Sequence, residues 1–397
     1  MVSINSHVLR AGMAAGWNYS GRLVGLGWTA LLIARIGFSG YGEYAMAVAV
    51  AAMINAGADN AFFVRSLRVT EAEFVRERCA RTLFGGALAA VGVAVYAESY
   101  VVGFALLVAA GELLFNTFKS SYMRSGRPDV TMRFDTIRQV SSIAAASIYL
   151  FLVHSPSLYV ASILYLLPYL VVVGACLPFV PGHRPALPGS FKEIALLSTE
   201  ALASAVYSQA PLLVVGAVAG TQAAGYYSVA QVSALAIAMV GQHYANTYVE
   251  KLRESSGHHS SAPGLRNIAV MASMTGAVMI VIGIGILVWG KADTAGYVCL
   301  ILSVFVFARS CDYVFTVILF LQHRDWLRVR ATVALAVVQL AILFPLVHVL
   351  GAYGAALASV GCELALLVTY YIVIYRSSPV ATADALGEQN SREVSTQ

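Results

Sequence analysis

The chain has 397 residues, 59% of them apolar and only 11% charged, with a formal net charge of +5 and a mean hydropathy of +0.75. Ordinary soluble domains carry roughly 25% charged residues, so a water-solvated globule is excluded and the bilayer is read as the solvent. Five scattered cysteines, Cys79, Cys176, Cys299, Cys311 and Cys362, offer neither a disulfide framework nor a metal motif.

A spanning helix needs about 20 mostly apolar residues. That length predicts twelve spans, near 9–34, 43–64, 82–97, 101–122, 134–153, 158–178, 193–219, 225–249, 267–289, 295–321, 331–350 and 355–375. Met1 to Ser6 are uncharged and the first span carries Asn18 and Arg22, which reads as a retained span and not a cleaved signal. Of the 25 Lys and Arg, twenty fall on one side of this map, including Arg81 and Arg138. Arg35 and Lys291 fall on the other, and Arg22, Lys119 and Arg309 lie inside spans. Basic loops stay cytoplasmic, so both termini are expected in the cytoplasm of a multi-pass plasma-membrane protein. The topology accounts for the positive charge, and no basic run interleaved with aromatics argues for nucleic acid.

Between spans six and seven, Pro178 to Gly189 holds four prolines and two glycines, a composition that no helix survives. It divides the chain into an N-terminal six-helix half (1–178), a Pro/Gly-rich cytoplasmic linker (179–192) and a C-terminal six-helix half (193–376). Residues 377–397, rich in Ser, Ala and Glu, read as a disordered cytoplasmic tail, and His258 and His259 as part of a solvated loop. The halves echo one another. Gly42 and Tyr44 match Gly225 and Tyr227 at an offset of 183, and Arg127 to Arg133 match Arg324 to Arg330 at an offset of 197. The step between the offsets implies about fourteen extra residues in the second half. Six spans per copy leave both copies in one orientation, a parallel repeat with a site between the halves. The fold class expected is an all-α polytopic membrane protein, two pseudo-symmetric six-helix halves around a central cavity.

Leu31 to Gly37 running into Tyr41-Gly42-Glu43-Tyr44, then Gly225 to Ala230, and finally Leu350 to Ala356 resemble the O-antigen (Wzx-like) polysaccharide flippases of the multidrug/oligosaccharidyl-lipid/polysaccharide exporter superfamily. The likeness extends to about residue 376. It implies translocation of a polyprenyl-diphosphate-linked oligosaccharide from the inner to the outer leaflet of a bacterial plasma membrane, for surface polysaccharide biosynthesis. Membrane lipids, a polysaccharide polymerase and chain-length proteins are the further partners it implies, with no cofactor. The alternative is a cation-coupled drug or metabolite exporter of the same superfamily, and a third reading is a membrane glycosyltransferase or ligase. A Gly-x-x-x-x-Gly-Lys-Ser/Thr loop is absent from the sequence, which argues against ATP hydrolysis. The outer loops are too short for an extramembrane catalytic surface, which argues against an enzyme.

A charge at the bilayer centre costs about 2.5–3.5 kcal/mol on insertion scales, so such residues face a cavity or a partner. Arg22, Lys119 and Arg309 are therefore candidates for binding a diphosphate, to which an arginine fork offers two donors. Asp59, Glu112, Glu200, Asp312 and Glu363 are candidates for coupling to a cation, and no metal site is expected. Glu112 and Lys119 share a helix face, Arg309 and Asp312 can touch, and Glu112 and Arg309 are equivalent at the offset of 197. Both are expected to face one central cleft. The alternative at each position is local: Arg309 satisfied by Asp312, Lys119 and Arg22 reaching an interface.

The charge map predicts a labelling pattern. Single cysteines at Ser39, Thr221 and Ala352 should react with impermeant reagents outside intact cells, and cysteines at Ser255 and Ser378 should not. The opposite pattern would invert the orientation.

Overall fold

The computed structural model describes residues 6–255, 261–322 and 324–376, the side chains of 6–15, 18, 128 and 325 excepted. His258, His259 and the tail from 377 lie outside the described residues. The helices run α1 (Ser6–Ser66), α2 (Glu71–Tyr96), α3 (Tyr100–Arg124), α4 (Pro128–Leu152) and α5 (Leu158–Cys176). They continue as α6 (Phe191–Ala219), α7 (Thr221–Asn246), α8 (Val249–Glu254), α9 (Leu265–Trp289), α10 (Asp293–Leu321), α11 (Asp325–Leu350) and α12 (Ala352–Tyr375). Between α5 and α6 the chain makes a 3-10 turn at Leu177–Phe179 and is otherwise irregular up to Ser190.

Ten helices among the described residues are long and apolar enough to cross a membrane. Two features raise the number of crossings to the twelve expected. At 61 residues α1 would be about 90 Å long if straight, three times the hydrocarbon thickness of about 30 Å. It is broken at Gly37, whose φ of 84° with ψ of 173° is open only to glycine, so its two arms are two spans. The other addition is α4, which has the 25 residues of a span but carries Asp135 and Arg138 within it.

Val288 (82% exposed), Leu152 (79%), Val349 (77%) and Val171 (76%) stand on the outer surface. So many exposed large apolar side chains would aggregate in water, and hydrocarbon is their solvent. The interior is correspondingly built from small residues: Ala47, Ala49 and Ala51 of α1, Ala105 and Ala109 of α3, Ala230, Ala234 and Ala238 of α7. Where lipid and side chain are equally apolar, close packing holds helices together, and small residues permit it.

The repeat is visible in the backbone. Gly220, which separates α6 from α7, has φ 90° and ψ 165°, nearly the values of Gly37 183 residues earlier. The step to the later offset also has a place: α1 and α2 are joined by four residues, α7 and α9 by eighteen that include α8. Arg127 and Arg324, at the larger offset, precede α4 and α11 as their N-caps.

At the end of the bundle away from Ser6 and Arg376 the halves meet reciprocally. A Cβ on Gly42 would collide with the Thr221 carbonyl, and one on Gly225 with the Phe38 carbonyl. Ser39 and Thr221 share a hydrogen bond of 2.7 Å, and the Phe38 and Tyr226 rings lie 4.4 Å apart. At the terminal, basic end the second arm of α1 meets α6: Asn60 donates to the Leu197 carbonyl (2.8 Å), and Arg65 bridges Glu77 of its own half and Glu193 of the other, each at 2.8 Å. Tyr19 and His243 approach there too, ring centroids 5.3 Å apart. The space between the halves is therefore pinched at both ends. Ala352 is only 3% exposed, so the exposed Lys291, in the turn before α10, is the better labelling site at the far end.

A disulfide should form between Ser39→Cys and Thr221→Cys, and adding Gly42→Ala should prevent it, because the new methyl overlaps the Thr221 carbonyl. Gel mobility of the oxidised membranes reads both. Undiminished cross-linking with Gly42→Ala would mean that the glycine contact does not set this closure.

Candidate functional site

Between the pinched ends lies a cavity of about 420 Å³ lined from both halves. From the first half Trp28, Tyr41 and Tyr44 of α1 and Tyr165 of α5 supply an aromatic wall, with Trp28 and Tyr165 stacked at 6.0 Å. Three amides face it: Gln139 of α4, Gln209 of α6 and Gln231 of α7. Gln139 reaches the cavity past Gly21 and Gly25, where any Cβ would press on its amide. The Trp28 indole nitrogen has no hydrogen-bond partner among the described residues. Arg22 is the only charged residue among the described ones that line this cavity. An aromatic wall, amide donors and acceptors and one guanidinium suit a polar, uncharged or anionic ligand; a cation finds no carboxylate among the described lining residues.

The remaining intramembrane charges turn into their own halves. Asp59 is paired with Arg81 of α2 on one oxygen and accepts from Asn116 of α3 on the other at 2.8 Å. The face of α3 shared by Glu112 and Lys119 lands on α4. Glu112 pairs with Arg138 at 3.0 Å and accepts from the Tyr169 hydroxyl at 2.6 Å, and Lys119 pairs with Asp135 at 2.5 Å.

In the second half Arg309 reaches Glu363 of α12 at 3.1 Å, and the Tyr207 hydroxyl of α6 donates to the other Glu363 oxygen at 2.6 Å. Glu363 is fully buried. Asp312, only 2% exposed, lines a second cavity of about 140 Å³ beside Arg309, and neither of its oxygens has a hydrogen-bond partner among the described residues. Glu200 is half exposed, 3.9 Å from Arg328.

The structure therefore brings Arg309, Asp312 and Glu363 together, and of the three basic candidates it places Arg22 at the central cavity. Two expectations are corrected. Arg309 and Asp312 are one helical turn apart, yet the guanidinium goes to α12, where the fully buried Glu363 needs a counter-charge. Glu112 and Arg309 do occupy equivalent helices, but neither lines the central cavity, since each finds an opposite charge inside its own bundle. A narrow cleft lined by Gln231, Tyr207 and Arg309 lies between the two sites: Gln231 also lines the central cavity, and Arg309 the smaller one.

Sequence reasoning missed Arg81 and Arg138, which it assigned to the basic loops, and the tyrosines that serve the acids. Arg138 lies four residues inside the predicted start of its span, which was the available signal. The three glutamines are polar residues within apolar spans, and that signal was equally open.

Neither a family model nor a curated protein matches the chain. Solved structures do. The lipid II flippase MurJ in an inward closed conformation superposes with a TM-score of 0.68 at 11% identity, over 92% of this chain and 88% of that one. An inward-facing multidrug resistance MATE family transporter of the MOP superfamily gives 0.53 at 13%, over 90% and 96%. The MATE multidrug transporter DinF-BH gives 0.53 at 13%, over 94% and 96%. The chain thus shares the all-α membrane fold of these solved transporters.

Removing one member of a buried pair costs about 3–5 kcal/mol, whereas replacing both by apolar groups of similar volume is often neutral. Arg309→Ala should accordingly lower protein abundance and unfolding temperature in detergent, and Arg309→Met with Glu363→Met should recover both. Normal abundance of Arg309→Ala alone would show that the pair does not hold α10 to α12.

Proposed function

We propose that this protein is a flippase that carries a polyprenyl-diphosphate-linked oligosaccharide from the cytoplasmic to the outer leaflet of a bacterial plasma membrane by alternating access. The observation that carries this reading is the charge of the central cavity: Arg22 with amides and aromatics, and no carboxylate among the described lining residues. A diphosphate there gains charge-assisted hydrogen bonds from Arg22. Sugar rings lie against Trp28 and Tyr165, whose faces are apolar, and exchange hydrogen bonds with the glutamines. The basic end, where the described chain begins at Ser6 and ends at Arg376, faces the cytoplasm, following the bias of Lys and Arg. Contacts between the halves at both ends support alternation, with the glycine contact as the outer barrier and the Arg65–Glu193 bridge as the inner one.

Of the acids, Asp312 fits a coupling role best, with Glu363 held beside it by Arg309 and Tyr207. Asp59 and Glu112 spend both or one of their oxygens on strong partners, whereas Asp312 faces a cavity with its oxygens free of hydrogen bonds among the described residues. A proton or cation arriving at Asp312 changes the field at Arg309, and Gln231, which lines both the cleft beside Arg309 and the central cavity, is the residue nearest the cargo along that line. Lys119 is a packing residue in this scheme.

A second reading, a cation-coupled drug or metabolite exporter, is favoured by that same buried acidic pair and by the likeness to solved multidrug transporters. The two differ in the sign of the cargo.

In liposomes holding the purified protein, a labelled polyprenyl-diphosphate oligosaccharide should cross the bilayer. Arg22→Gln should slow it by about tenfold or more, the equivalent of one lost hydrogen bond to a charged group, and Arg22→Lys should retain part of the rate because the charge stays while the fork is lost. A protein that moves cationic dyes and leaves the lipid-linked sugar in place would decide for the second reading.

A further inference from the structure

On the outer face of the first half, toward the basic end, α3, α4 and α5 leave a groove of about 490 Å³. Phe115 and Phe118 form its floor, Phe134 and Ile137 one wall, Leu167 and Val171 the other. Its mouth faces the bilayer, for Ile137 is 45% and Val171 76% exposed. Arg138 also lines it, with its terminal nitrogens on Glu112 and Tyr169 and its buried Nε without a hydrogen-bond partner among the described residues.

The groove has a charged crown. Arg133, Ile137 and Ser141 are spaced four apart on α4 and so share a face, and Ile137 and Ser141 line the groove. Arg133 is exposed and one turn closer to the membrane surface. Helical side chains lean toward the helix start, which here is the basic end, so its guanidinium extends beyond the groove toward that end, as a snorkelling arginine does.

We propose that this groove holds one acyl chain of an anionic glycerophospholipid from the leaflet at the basic end, with the lipid phosphate on Arg133. The tail of a cargo lipid does not fit the geometry. Gln139, Ile143 and Tyr165 line the central cavity while Ile137, Arg138, Leu167 and Pro168 line the groove, so α4 and α5 stand between the two, and a headgroup in one cannot have its chain in the other. The bound chain covers the apolar floor over Arg138 and excludes water from the Glu112–Arg138–Tyr169 cluster. That makes it a resident lipid of the first half, distinct from anything transported.

Native mass spectrometry of the full chain in mild detergent, with phosphatidylglycerol and phosphatidylcholine at equal concentration, tests the site. The wild type should retain phosphatidylglycerol about fivefold over phosphatidylcholine, the ratio that corresponds to the ~1 kcal/mol a basic residue contributes at an anionic lipid surface. Arg133→Gln should bring the two lipids to parity while a lipid stays bound. Ala175→Trp and Ile137→Trp, both at exposed positions of the mouth, should release both lipids from protein whose unfolding temperature shows it folded. Parity in the wild type, an unchanged preference in Arg133→Gln, or retention of lipid in both indole variants would each overturn the proposal. Displacement of phosphatidylglycerol by equimolar polyprenyl phosphate would overturn it too, by giving the groove to the cargo's tail. Should neither indole variant fold, Arg133→Gln decides alone.

Discussion

Charge in hydrocarbon is the constraint around which this bundle is arranged. An ionised side chain at membrane depth must find an opposite charge or a polar cavity, and helices that carry such groups are fixed against one another by that need. Asp59 draws in Arg81 and Asn116, Glu112 draws in Arg138 and Tyr169, and Glu363 draws in Arg309 and Tyr207. These clusters tie α1 to α2 and α3, α3 to α4 and α5, and α10 to α12 and α6. Each half is stapled internally by polar contacts that hydrocarbon makes costly to break.

Between the halves the contacts are of a different kind. At the far end backbone touches backbone at Gly42 and Gly225, supported by a hydroxyl pair and two packed rings. At the basic end a bridge from Arg65 to the half-exposed Glu193 joins α1 to α6. A partly exposed ion pair is worth about 0–1 kcal/mol, and a glycine contact carries no side chain to extract. Along the length between these ends α1 packs on α6 and α7 through one shared apolar core, with Tyr41 and Ser228 hydrogen-bonded across it at 3.1 Å, so polar clusters hold each half and apolar packing joins the two. Gly37 and Gly220 sit beside the far contact with backbone angles that only glycine adopts easily, and so let each long helical path turn there.

The two halves have diverged in charge while keeping their frame. Glu112 on α3 and Arg309 on α10 occupy equivalent places, and each is answered from a neighbouring helix of its own bundle. In the first half the acid is satisfied by arginine and tyrosine together. In the second half a further acid, Asp312, is added beside a small cavity. The first half thereby pairs its acids within the bundle, and the second retains a buried carboxylate with no hydrogen-bond partner among the described residues.

Much of the fold was legible in the sequence because it depends on local properties. Apolar runs of span length placed all twelve crossings, the two arms of α1 counted separately. Near the start of α4, however, assignment of Arg138 to the basic loop misplaces it, because the residue lies inside the helix. The repeat was legible too, for the glycine-tyrosine turn and the basic pairs are set by backbone geometry at helix ends, which recurs with the chain. The partners of the charges were not legible. Helical spacing says which residues share a face, as it did for Glu112 with Lys119 and Arg309 with Asp312, but which neighbouring helix that face meets depends on the packing of all twelve spans. Composition and periodicity determined that this chain is a membrane bundle with a duplicated plan. Only the tertiary structure decided that Arg22 lines the central cavity while Arg309 and Lys119 pair with Glu363 and Asp135 inside their own bundles, because the residue met across a helix interface is set by the packing of the whole bundle, and nothing in the local sequence says which residue that is.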